Sequence, residues 1–285
     1  MPARSEQGFV TARNGRRWQL EDVDVARVNR ATAANDILAF KIVTAASFIE
    51  SGSDLYTRNL REFFAGDDEV VSWLARSWEP EELQHGAALR AYVEHVWPGF
   101  DWAVRFRAFV EDYGRTCTVP ELESTRALEL VARCIVEMGT STLYRSLRGY
   151  ARDPVLRRIT ALIYSDEVRH YKIFYRHFRR YQRREGRSRL RVGQTLVKRL
   201  LALRSEDGRC VYRHLWDFAL NPAGYSFDTS YRAFSREVAD VLNRYGSFDM
   251  TTRMTLKPLA LPSSIVDAAT RLSGPLYGLW LNAGH

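Results

Sequence analysis

"WEPEELQHG", residues 78–86, places a glutamate and a histidine three apart, Glu82 and His85. Residues three apart on a helix project from one face, so this pair could offer a carboxylate and an imidazole to one metal ion. Glu-x-x-His is too short to carry that reading alone, and a single copy is more often a solvated or core polar pair. This one has a twin. "YSDEVRHYK", residues 164–172, contains Glu167-x-x-His170. A di-metal carboxylate bundle takes one such pair from each of two helices and a lone glutamate from each of the other two.

The lone glutamates follow from hairpin geometry. From Asn35 to about Ala65 the chain has no proline, one glycine and apolar residues at helical spacing (Ile37, Leu38, Ile42, Ala45, Ile49). "AGDDE" (65–69) supplies a glycine stop and aspartates suited to a helix start, and a second helix is expected over 68–96, with a kink or break at Pro80. Third and fourth helices are expected over 120–150 and 154–184, Pro120 opening the third and Asp153–Pro154 opening the fourth. In an antiparallel pair, residues equally far from the turn share a height. Counting back from Gly66 by the separation of Gly66 and Glu82 reaches Glu50, and the same count about Arg152 pairs Glu167 with Glu137. Each lies roughly 22–24 Å from its turn at 1.5 Å per residue. Glu62 and Glu129 fail this test, and Asp54 sits one turn off.

Residues 97–119 are long enough to run back along the bundle as a single crossover, with a short helix near 101–113. The expected fold is therefore all-α: a ferritin-like four-helix bundle with one long crossover plus additional C-terminal helices. Residues 1–34 read as an N-terminal extension, 35–185 as the bundle, and 186–285 as a helical extension packed on it, with helices near 189–204, 211–219, 227–245 and 263–272. The predicted metal ligands are Glu50, Glu82, His85, Glu137, Glu167 and His170. Four carboxylates and two imidazoles suit iron or manganese, and balance two divalent ions; the thiolates of a closed zinc site are missing from the set.

Bulk properties narrow the function classes. A chain of 285 residues that is 46% hydrophobic and 27% charged can bury a sizeable core and is ordinary for a globular protein. Three cysteines without paired spacing argue against a disulfide framework and for a reducing cytoplasm. No apolar stretch approaches the ~20 residues of a membrane span, and the start has no signal-peptide core. The net charge of +8 concentrates in "RHFRRYQRREGRSRLR" (176–191), eight arginines against one acid. That run reads first as a solvated helix end and loop, then as a dock for an acidic partner; nucleic acid is not expected.

"WLARSWEPEELQHG" (73–86) and "VEMGT…IYSDEVRH" (136–170) resemble the soluble acyl-acyl carrier protein desaturases, with "ESGSDLY" (50–56) a weaker counterpart of their first helix. The resemblance spans about residues 36–180. It implies two iron ions as cofactor, dioxygen as co-substrate, and oxidation of an unactivated C–H bond. It also implies the same six ligands, with Asp166 orienting a ligand imidazole and Thr140 standing near the oxygen-binding side. Acyl carrier protein or a small molecule would be the substrate, a ferredoxin-like protein the electron donor, and a homodimer the assembly. Gln84 stands where that family commonly has arginine, and residues beyond about 190 show no likeness. An N-oxygenase, a small-molecule oxygenase, a ferroxidase or iron store, and a silent helical protein stay open. Glu81 is expected to be solvated, about 100° from Glu82 around the helix. Trp78 reads as core or as an electron conduit, and His177 as a buried or rim residue rather than a further ligand. Cys134 reads as small core. Val43, Ala46 and Ser47 read either as the wall of a narrow apolar channel or as packing residues.

Overall fold

The computed structural model describes residues 17–205, 207–217 and 224–282, and every regular element among them is helical. Two short 3₁₀ turns and a single helical turn, α1 (Arg30–Ala33), lead into the first limb, α2 (Ile37–Ser51) and α3 (Ser53–Phe63). Asp36 starts α2 by accepting the Ala39 N–H, which satisfies one of the free donors of a helix start. The single helix expected over 35–65 is broken at Gly52, where ψ turns to 8°. Gly66 makes the hairpin turn at φ +87°, a conformation that a β-carbon would strain.

The second limb consists of α4 (Asp68–Trp73), a π-helical segment (Leu74–Trp78) and α5 (Glu79–Val96). The disturbance expected at Pro80 is absorbed here. Pro80 has no N–H to give and falls in the first turn of α5, while the Glu79 N–H reaches back five residues to Leu74 O. The limb therefore runs on without a break.

The crossover contains α6 (Trp102–Gly114), capped by Asp101 on the Val104 N–H. Its aromatic face lies on α2: Trp102 and Phe109 pack against Phe48, and Trp102 Nε1 donates to Ser47 Oγ at 2.8 Å. The third limb, α7 (Arg126–Tyr150), starts later than 120 because Leu122 turns extended after a 3₁₀ turn at Pro120, and Thr125 then caps the Leu128 N–H. The fourth, α8 (Pro154–Glu185), opens on Asp153, which accepts from the Val155 and Leu156 N–H groups, and stops at Gly186 with φ +58°. The limbs pair as α2 with α5 and α7 with α8. This is the four-helix bundle with one long crossover.

Five further helices follow: α9 (Arg189–Ser205), α10 (Asp207–Arg213), α11 (Phe227–Tyr245), α12 (Phe248–Leu256) and α13 (Ser263–Asn282). α12, whose sequence has no clear apolar repeat, was not expected. The helix expected over 211–219 ends at Arg213, and its last two residues lie outside the described set. Several ties hold these helices to the bundle. Thr251 Oγ1 lies 2.9 Å from Thr142 Oγ1, Tyr171 donates to Met254 O at 2.6 Å, and Lys41 pairs with Glu237 at 3.1 Å. Among the described residues no helix is long and apolar enough to cross a membrane.

One close approach positions the site. A β-carbon on Gly86 would stand 2.7 Å from the backbone N of Ser51, so only glycine lets α5 press this tightly on the end of α2. Gly86 follows His85 and Ser51 follows Glu50. The backbone contact thus brings the ligand candidates of the first two limbs to one level.

Candidate metal centre

Glu50 comes from the last turn of α2, Glu82 and His85 from α5, Glu137 from α7, and Glu167 and His170 from α8. All six are buried, none more than 5% exposed. They converge as two overlapping groups, Glu50–Glu82–His85–Glu167 and Glu82–Glu137–Glu167–His170. Within each, one ligand atom per residue lies within 4.8 Å of all the others. A metal ion with bonds of ~2.1 Å spans about 4.2 Å between opposite ligands, so each group has the size of one coordination shell. Glu82 and Glu167 belong to both groups, as carboxylates bridging two ions would.

Unpartnered atoms test the fit. Glu82 Oε1, His85 Nδ1, Glu137 Oε2, Glu167 Oε1 and His170 Nδ1 are buried without a well-aligned hydrogen bond; they crowd against one another instead, His85 Nδ1 at 3.1 Å from Glu167 Oε1 and His170 Nδ1 at 2.9 Å from Glu82 Oε1. Buried polar atoms are normally satisfied. These five are turned towards the cluster, and cations would supply what they lack. Together the two groups can hold two metal ions. The acids excluded by height stand elsewhere: Asp54 and Glu62 are exposed, and buried Glu129 is engaged by Arg133 at 2.9 Å and the Glu123 N–H.

The far nitrogens are braced reciprocally. His85 Nε2 meets Asp166 Oδ2 at 3.1 Å, and His170 Nε2 meets Glu81 Oε2 at 2.7 Å. On each Glu-x-x-His helix, the acid just before the glutamate shared by both groups therefore holds the imidazole of the other helix. This arrangement directs both Nδ1 atoms inward, the usual way a carboxylate orients a ligand histidine. Asp166 is the α8 side of this brace. Glu81 does not stand as expected: it is 7% exposed. It points sideways between α5 and α8, a direction that is solvent on an isolated helix and interior in the bundle. Arg169 spans both acids, at 2.7 Å to Asp166 and 2.6 Å to Glu81, and Arg17 also pairs with Glu81.

Several participants were missed from sequence. Trp18, inside the segment classed as an extension, donates from Nε1 to Asp166 Oδ2 at 2.7 Å and stacks parallel to His85 with centroids 6.0 Å apart. Gln84 donates to Trp18 O at 3.0 Å and so anchors that segment. Tyr144 donates to Glu50 Oε1; it lies seven residues after Glu137 on the same helical face, a spacing that could have found it. Thr140 donates to Glu167 Oε2 at 2.5 Å. Trp78 is buried and donates from Nε1 to Glu137 Oε1 at 3.1 Å. His177 is buried beside Trp73 and belongs to neither ligand group. Cys134 is buried core, and Ser47 is occupied by Trp102 as a packing residue.

The protonation of the metal-free cluster follows from its crowding. Burial alone would lower both imidazoles. The carboxylates outweigh it: Asp166, Glu167, Glu50 and Glu82, which accept from a charged His85, and chiefly the Glu82 charge at His170, hold both well above the ordinary histidine range. Burial and the charge of Glu82 raise Glu50 to about 7. Burial and the charge of Glu167 push Glu137 well above the carboxylate range. Burial would also raise Asp166, but His85, Arg169 and Trp18 hold it at about 2.

No family model matches the chain, and no curated protein shows significant similarity to it.

Two outcomes follow. Metal binding needs neutral imidazoles and ionised carboxylates, while the metal-free site holds extra protons on His85, His170, Glu137 and, near neutrality, Glu50. Loading with Mn(II) should therefore release protons, and apparent affinity should rise as pH increases from 6 to 8. Calorimetry in buffers of different ionisation enthalpy measures both; affinity flat with pH would refute the protonation scheme. Glu81→Gln removes the charge that orients His170 without changing side-chain size. It should weaken one of two bound ions by about 10–100-fold and spare the other. Unchanged binding of both ions would return Glu81 to a structural role.

Proposed function

We propose that the chain is a non-haem di-iron oxidase or oxygenase that uses dioxygen to attack an unactivated C–H bond, with a fatty acyl chain on an acyl carrier protein as the leading substrate class. The observation that carries this is the pair of overlapping ligand groups sharing Glu82 and Glu167. The motif likeness of residues 73–86 and 136–170 to the acyl-acyl carrier protein desaturases supports the acyl substrate. The donor set, carboxylate oxygens and imidazole nitrogens without thiolate, supports iron or manganese.

Two reduced iron ions held there would supply electrons and coordination positions for dioxygen. The chain's own residues do the rest. Glu82 and Glu167 would hold the ions together, Glu50 with His85 would complete one side, and Glu137 with His170 the other. Tyr144 fixes one oxygen of Glu50, leaving the second for metal. Thr140 places a hydroxyl on Glu167 at the edge of the cluster, where it can hold or pass a proton. Asp166 and Glu81 fix the imidazoles. Burial of all six ligands excludes water from the reacting centre.

Turnover of this kind needs electrons from a partner, and the arginine run supports an acidic one. Within it Arg180 is a structural strut to Asp67 and Glu69, and Arg176 also reaches Glu69, at 3.6 Å. Arg179 and Arg183 are exposed and, with Arg176 and Tyr175, line a groove of about 250 Å³.

The test is product mass spectrometry after the iron-loaded chain has reacted with dioxygen, a reduced [2Fe–2S] ferredoxin and acyl carrier protein thioesters. Loss of two hydrogens or gain of one oxygen on the acyl chain is expected, accompanied by substrate-dependent oxygen uptake. Oxygen uptake that ignores every acyl substrate and ends in an iron mineral would replace this function with iron oxidation.

A further inference from the structure

Trp73 and Trp78 lie on one helical limb, five residues apart. In an α-helix at 100° per residue they would diverge by about 140°. The π-helical segment Leu74–Trp78 changes that, because its i→i+5 bonding brings residues five apart towards one face. Both indoles consequently stand edge-on to the same imidazole, each with its centroid 6.5 Å from that of His170. Both also pack on Phe174, at 4.8 Å for Trp73 and 5.7 Å for Trp78. Trp78 is buried and bonded to Glu137, whereas Trp73 is partly exposed. The result is an aromatic path, through Phe174, from the Glu137–His170 side of the centre to the partly exposed Trp73.

We infer that Trp78 and Trp73 form an escape route for oxidising equivalents when the loaded centre meets dioxygen without substrate. This rests on the di-iron reading. One electron passes from the Trp78 indole towards the centre, and the Glu137 carboxylate beside Nε1 stabilises the indole cation left behind. One electron from Trp73 then restores Trp78 and moves the cation to the protein surface. A low-molecular-weight thiol in solution reduces Trp73, giving up one electron and one proton; two thiyl radicals pair as a disulfide. The oxidising power thus leaves the cluster before it reaches the ligands.

The test uses the full-length chain loaded with Fe(II) and exposed to dioxygen without substrate or thiol, followed by peptide mass spectrometry. Trp216 is also partly exposed and sits against Phe227 on the α10–α11 side, so it serves as the internal control. Oxygenated Trp73 should exceed oxygenated Trp216 by at least several-fold. A thiol should suppress it, and Zn(II) in place of iron should abolish it. Trp78→Phe should lower oxidation at Trp73. Trp73→Phe should move oxidation inward to Trp78 and His170 and hasten loss of iron-binding capacity. Equal oxidation of Trp73 and Trp216 in a sample that binds iron and consumes oxygen would overturn the route while leaving the di-iron reading intact. A sample that takes up no iron and consumes no oxygen would overturn both. Should either variant fold poorly by circular dichroism, the comparisons of thiol and of zinc in the unmodified chain decide alone.

Discussion

Four carboxylates meet at one level of a dry helical bundle, and this crowding is the constraint on which the rest of the structure depends. Two like charges about 4 Å apart repel by roughly 4 kcal/mol at the effective dielectric of a protein, and Glu50, Glu82, Glu137 and Glu167 form several such pairs. Without compensation the bundle would be pushed apart at its centre. Without metal, the crowding favours protons on His85 and His170 and on Glu50 and Glu137. Two divalent ions would compensate more completely and also satisfy the unpartnered atoms.

The surroundings share a common logic. Each hairpin of the bundle contributes a lone glutamate and a Glu-x-x-His pair, and each hairpin braces the other. Asp166 on α8 holds the histidine of α5, and Glu81 on α5 holds the histidine of α8. Arg169 ties the two braces into one charge-balanced layer. The halves differ in their aromatic neighbours. His85 is stacked by Trp18 from the N-terminal segment, whereas His170 is flanked by Trp73 and Trp78 from its neighbouring limb. That difference gives the two sides of the centre distinct surroundings: Trp18 is buried, whereas Trp73 is partly exposed.

Much of this was legible in the sequence because helical hairpins convert spacing into height. Glu50 and Glu137, unremarkable as single residues, were found by counting from Gly66 and Arg152, and the structure brings both to the cluster. Boundaries were less legible where local chemistry competes with periodicity, as at Gly52 and between Pro120 and Thr125. The π segment was invisible in "LARSW" itself, where nothing opposes an α-helix; it lies directly before Pro80, which has no N–H to give. Glu81 was misplaced for an instructive reason. An angle measured on one helix says where a side chain leaves that helix, not whether a second helix waits there. The repeated acid–acid pairs, Glu81–Glu82 and Asp166–Glu167, contained the missing information, since equivalent positions in the two motifs play equivalent parts. Trp18 lay beyond reach, because no short-range pattern links it to Asp166.

The most direct measurement is anomalous diffraction at the iron absorption edge from crystals of the iron-loaded chain. Two peaks per chain, about 3.5–4 Å apart and flanked by the carboxylates of Glu82 and Glu167, with His85 on one and His170 on the other, are the predicted result. A single peak, or ions bound away from these four residues, would contradict the di-metal centre and with it the function built on it.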